Sequence, residues 1–110
     1  MTGNEYQKLA ARTINNDLLP EDLEDHAIKG MVSELGELCG IYQKEYQGHK
    51  FNHEHAMKEI GDLLWFIAEY CTAYEWDLED VMQKNIDKLK ARYPEGFDEE
   101  KSLKRKEGDI

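Results

Sequence analysis

Residues Ser33–Phe66 read SELGELCGIYQKEYQGHKFNHEHAMKEIGDLLWF. Two acidic pairs frame the stretch, Glu34 with Glu37 and Glu59 with Asp62, each at i and i+3. On a helix that spacing puts both carboxylates of a pair on one face, about one turn apart. Apolar residues recur around each pair with the helical period. Ala27, Ile28, Met31, Val32, Leu35, Leu38, Cys39, Tyr42 and Tyr46 form the first stripe; Met57, Ile60, Leu63, Leu64, Ile67, Cys71 and Tyr74 form the second. Gly48 ends the first segment, and Gln47 to Asn52 reads as a loop. Both acidic pairs sit on the flank of their stripe at nearly the same offset. Two such helices packed side by side would turn four carboxylates toward one spot. Four like charges repel strongly in a low-dielectric groove, and a hard divalent cation removes that repulsion, Mg²⁺ being the usual occupant of such oxygen sites.

A single acidic pair on a helix is ordinarily a solvated face. Three features weigh against that reading. Both pairs lie in the most apolar helices of the chain. Asp62 directly precedes the apolar run Leu63–Ala68, where an unpaired charge would be costly to bury. Glycine stands before the second acid in both pairs, as Gly36 and Gly61. Each glycine costs about 1 kcal/mol of helix stability relative to alanine, so a close approach by another backbone or a ligand is expected there.

Working outward, the first helical pattern covers about Asn4 to Asn15, with Tyr6, Leu9, Ala10 and Ile14 near one face. The second helix is expected to begin between Pro20 and Asp25, where acids suit the positive end of the dipole. Asn52 is the expected N-cap of the third helix, which runs to about Tyr74. Trp65 and Phe66 make its middle apolar nearly all round, so it is central or covered by a second subunit. Both rings read as core or interface residues before base-stacking ones. Asp77 is the expected N-cap of a fourth helix with the stripe Leu78, Val81, Met82, Ile86 and Leu89. Pro94 stops it. Asn85, Lys88 and Arg92 form a row on one face of that helix. The charged segment after Phe97, residues 98–110, is expected to be partly disordered.

The 110 residues fit one domain, taken as residues 1–97, with a core modest enough that an oligomer is expected. A net charge of −10 disfavours general attraction to nucleic acid or an anionic membrane, so an anionic substrate must be drawn in by metal and by locally placed cations. No run of about 18 apolar residues and no secretory signal is present, which makes the cytoplasm the default location. Cys39 and Cys71 lie in apolar helical patterns and read as buried free thiols. Lys44 and Lys50 read as surface residues. His49, His53 and His55 read as incidental residues of a loop region, and His26 as a candidate to line a base pocket.

The ordered set Glu34-x-x-Glu37, Glu59-x-x-Asp62-Leu-Leu-Trp65 and Asn85-x-x-Lys88-Leu-x-x-Arg92-Tyr93-Pro94 resembles the MazG-like all-α nucleoside triphosphate pyrophosphohydrolases. The start, Tyr6-Gln7-x-Leu9-Ala10-x-Arg12-Thr13, is similar to that of a MazG-like subgroup, so the resemblance covers about residues 5–97. It implies a four-helix bundle completed by dimer or tetramer formation. It implies Mg²⁺ dependence, with Mn²⁺ as a substitute, and cleavage of a (d)NTP to monophosphate and pyrophosphate. Carried onto this sequence, Glu34, Glu37, Glu59 and Asp62 are the expected metal cluster. Asn85, Lys88, Arg92 and Tyr93 are expected at the phosphates. Either Glu37 or Glu34 is expected to orient the attacking water. A binding module without catalysis is the rival reading, which the presence of all four acids disfavours. A carboxylate-bridged di-iron bundle would need Glu-x-x-His on two helices, and neither acidic pair carries it. The glycine-rich loops of P-loop and Rossmann proteins are missing.

Overall fold

The computed structural model describes all 110 residues. The chain is entirely helical in its regular structure: α1 Gly3–Ala11, α2 Pro20–Tyr46, α3 His53–Ala73, α4 Leu78–Arg92 and α5 Glu99–Leu103. Helix starts follow local chemistry. Proline opens α2, with Glu21 and Asp22 in its first turn. The Asn52 side chain caps α3 by accepting from the His55 amide at 3.0 Å. The exit of α3 is a Schellman turn. The Trp76 amide bonds the Cys71 carbonyl at 2.8 Å, and Glu75 takes the left-handed conformation (φ 59°) that glycine usually fills.

Two expected boundaries differ. α1 ends at Ala11 instead of near Asn15, because the Thr13 hydroxyl bonds the Ala10 carbonyl and the chain turns there. Asp77 occupies the N-cap position of α4, but its side chain makes no capping bond. α1 caps that helix instead. Gln7 Oε1 accepts from the Leu78 amide at 2.7 Å, and Asn4 Oδ1 accepts from the Glu79 amide at 3.1 Å. The segment 98–110, expected to be partly disordered, carries α5.

α2 and α3 pack along each other as the principal pair, and α1 crosses α3. The expectation that α3 is central holds. Trp65 Nε1 donates to the Thr13 hydroxyl at 2.9 Å, under α1, and Phe66 lies against Gly30 of α2. A Cβ at Gly30 would run into the Phe66 ring, so this glycine sets the closest approach of the two long helices. Gly36 and Gly61, expected to serve that purpose, face open space. The first turns of α4 pack on α1, and its remainder runs clear of it.

The buried set is small: Ala10, Ile14, Ala27, Ile41, Ala68, Cys71, Leu78 and the carboxylate residue Glu69. Cys39, expected to be buried, is exposed, because the outer side of the α2 stripe has no neighbour; both cysteines are free thiols. The accessible surface is 8709 Å², against about 6,300 Å² for a compact monomer of this mass. The radius of gyration is 17.3 Å, against about 13 Å for a closed domain of this length. Much apolar surface therefore stays uncovered, including Val32 and Leu35 on α2 and Met57 and Ile60 on α3. No helix is long and apolar enough to cross a membrane.

Candidate metal centre and the basic row of the fourth helix

α2 and α3 bring Glu34, Glu59 and Asp62 together, with one carboxylate oxygen from each lying within 4.8 Å of the others. Glu37, one turn beyond Glu34, is exposed and outside that triad. The Glu59 side chain keeps only 11% of its surface in water. His55, one turn earlier on α3, places Nε2 2.9 Å from Glu59 Oε1 and fixes that carboxylate. The other oxygen, Oε2, is buried with no hydrogen-bond partner. An orphaned buried acceptor beside two more carboxylates is costly unless a proton or a cation lies among them.

The proton affinity of Glu34 shows the same pressure. Its carboxyl is pushed up to about 7, first by a hydrogen bond shared with Glu59, then by burial, then by the charges of Asp62, Glu59 and Glu37. A proton on Glu34 supplies the donor that the ionised pair lacks. A divalent cation would supply the same charge without the proton, and an all-oxygen donor set suits a hard ion. The triad therefore fits a divalent metal. Tyr6 of α1 stands close enough to feel it: its hydroxyl pKa is raised first by burial and then by Asp62.

The sequence reading groups His55 with the loop histidines and does not place it beside Glu59. It lies inside α3, and its spacing of four residues before Glu59 is the signal that could have found it. Lys44 and Lys50 line a hollow of about 180 Å³ with His49, Asn52 and His55, between the end of α2 and the start of α3. His26 reaches across to α3. Its Nδ1 lies 2.8 and 3.0 Å from the two oxygens of the buried Glu69, and its ring meets Phe66 edge-on.

The row on α4 is elsewhere. Asn85 and Lys88 are exposed. Arg92 is half-buried, and its guanidinium grips Asp109 through two bonds, Nε to Oδ2 at 2.9 Å and Nη2 to Oδ1 at 2.6 Å. Tyr93 packs on Phe97 with ring centroids 5.4 Å apart. No hydrogen bond or ion pair joins this row to the triad.

An all-helical protein whose two long helices converge three carboxylates is thus defined by fold and site. Residues 23–97 match the family model of the MazG nucleotide pyrophosphohydrolase domain, and the chain belongs to that family. It is also similar to the Gene 37 protein of Mycobacterium phage L5, with 28% identity over 72 residues, 61% of this chain and 63% of the relative. The match therefore spans less than two thirds of that relative's length. No solved structure matches the chain.

Proposed function

We propose that this chain is a divalent-metal-dependent nucleoside triphosphate pyrophosphohydrolase, cleaving a (d)NTP between the α- and β-phosphates to (d)NMP and pyrophosphate. One observation carries the reading: the unpartnered, buried Glu59 Oε2 inside a triad of carboxylates. Glu34, Glu59 and Asp62 would hold the metal, Mg²⁺ first and Mn²⁺ as substitute. Such an ion, when bound, supplies charge neutralisation to the reacting phosphates and acidifies water.

The chain's own groups do the rest. His55 holds Glu59 in its ligating orientation. Glu37, outside the triad and one turn from Glu34, is the carboxylate left free to orient the attacking water and accept its proton. Asn85, Lys88 and Arg92 offer an amide and two cations to the triphosphate, with Tyr93 beside Arg92. Lys44 and Lys50, in the hollow next to His55, add cations near the triad.

The working unit we propose is a dimer or tetramer built from second copies of this chain. The exposed α2 residues Ile28, Val32, Leu35, Cys39 and Tyr42 recur every three to four positions beside Met57, Ile60 and Leu64 of α3. The surface in excess of a compact monomer is about 2,400 Å², the size of an obligate subunit interface. Light scattering should give a mass of at least twice 12.9 kDa. A screen of (d)NTPs with Mg²⁺ tests the activity: monophosphate and pyrophosphate in equal amounts are expected. Release of inorganic phosphate instead, or no turnover on any of them, would overturn it.

A further inference from the structure

Six of the fourteen lysines and arginines of this acidic chain gather at one place. Lys88, Arg92, Lys101, Lys104, Arg105 and Lys106 line a cavity of about 480 Å³ between the last turns of α4 and residues 98–110. That volume is in the range of small-molecule sites. Asp109 is the one carboxylate side chain in its lining.

The Arg92–Asp109 pair is no ordinary surface contact. The two side chains keep only 9% and 18% of their surface in water, and both oxygens of the carboxylate engage the guanidinium fork. Turns at Gly96 (φ 95°) and Gly108 (φ 86°), where side chains are disfavoured, carry Asp109 back to α4. The Asp109 carboxyl is held below its ordinary range first by the Arg92 hydrogen bond, with the charges of Arg92, Arg105 and Lys88 adding to it. Several cations thus act on a single anionic group. A two-oxygen anion on an arginine fork occupies the position a phosphate would take.

We infer that this cavity is a binding site for the polyphosphate group of a nucleotide, with Asp109 as its resident competitor. Residues 98–110 then supply four of the six cations and the carboxylate that an incoming phosphate displaces from Arg92. The inference rests on the reading of Lys88 and Arg92 as phosphate-facing and adds the closing segment and its control. A short polyanion fits better than a nucleic acid, because a chain of net charge −10 repels a long one.

Calorimetric titration of the full chain with tripolyphosphate in EDTA tests this without metal or turnover, so its failure is separable from failure of the hydrolase reading, which shows in the product assay. Asp109→Asn should bind about three- to tenfold tighter than the parent, since a competing charge is removed. The double variant Lys104→Ala/Lys106→Ala should bind about tenfold more weakly. The Arg92 Nε–H resonance of the parent should shift on titration. Equal or weaker binding by Asp109→Asn, unchanged affinity of the lysine variant, or an unmoved Arg92 resonance would each overturn the inference. Tighter binding of a single-stranded oligonucleotide than of tripolyphosphate at the same salt would overturn it in favour of a nucleic-acid surface.

Discussion

The acids and the cations of this protein are held in opposite ways. The triad sits between two long helices that touch along their length, with Phe66 seated on Gly30, Glu69 buried against His26, and His55 bracing Glu59. The cations sit on an α4 whose residues from Val81 to Ala91 are all exposed, with Arg92 tied to one carboxylate. Packing holds the first group, so its geometry survives the loss of any single charge. The second group is held by charge, so its geometry changes when a charge is removed. Metal ligation needs oxygens fixed within a few tenths of an ångström, whereas phosphate attraction tolerates flexible side chains.

The largest expected effect breaks the packed region chemically. Glu59→Gln should lower Mg²⁺-dependent turnover by about 10²–10³-fold, the scale of losing one group that stabilises developing charge. Its metal-free melting temperature should hold or rise, because a buried repelling charge is gone; retained turnover would remove Glu59 from the site. Breaking the same region mechanically comes next. Gly30→Ala should destabilise the fold by about 1–3 kcal/mol, since its Cβ meets the Phe66 ring. Gly61→Ala, in open space, should stabilise the isolated chain by up to about 1 kcal/mol through helix propensity alone. Denaturant melts of the two variants check the contrast, and equal shifts would show that α2 and α3 do not meet at Gly30.

A pH series sharpens the comparison. The folded pKa of Glu34, about 7, lies above its ordinary value of 4.5, so folding favours the protonated form. The stability this proton contributes is complete below about 4.5 and is lost as pH rises through about 7. If metal takes the proton's place, added Mg²⁺ should raise the melting temperature more at about pH 8 than at about pH 6. A Mg²⁺ shift that is flat with pH would separate Glu34 from the metal. The mildest change probes the charge-held region. Lys88→Ala should raise the KM for triphosphate about tenfold while leaving the melting temperature in place, because the side chain is exposed. A fall in melting temperature with KM unchanged would give Lys88 a structural role.

Much of this was legible in the sequence wherever the determining interaction is local. Helical period, the Asn52 cap, Pro20 and Pro94 placed the first four helices, and the i,i+3 spacing pointed to Glu34, Glu59 and Asp62 but also to Glu37, which lies outside their triad. Long-range pairings were not legible. Glu69 looks like one polar residue in an apolar helix, and its partner His26 is 43 positions away. Nothing in the local pattern separates Gly30 from Gly36 and Gly61, because the difference lies in which face of α2 meets α3. The row falls on a single helix, α4. Its capture of Asp109 depends on a chain reversal 17 residues long.

The trans-capping of α4 has a consequence for handling this molecule. The first amides of that helix find their acceptors on Asn4 and Gln7, more than 70 positions upstream. Trimming the opening seven residues, or crowding them with a fusion, would therefore fray the start of a helix near the opposite terminus. Damage at one extremity would surface as a loosened helix at the other.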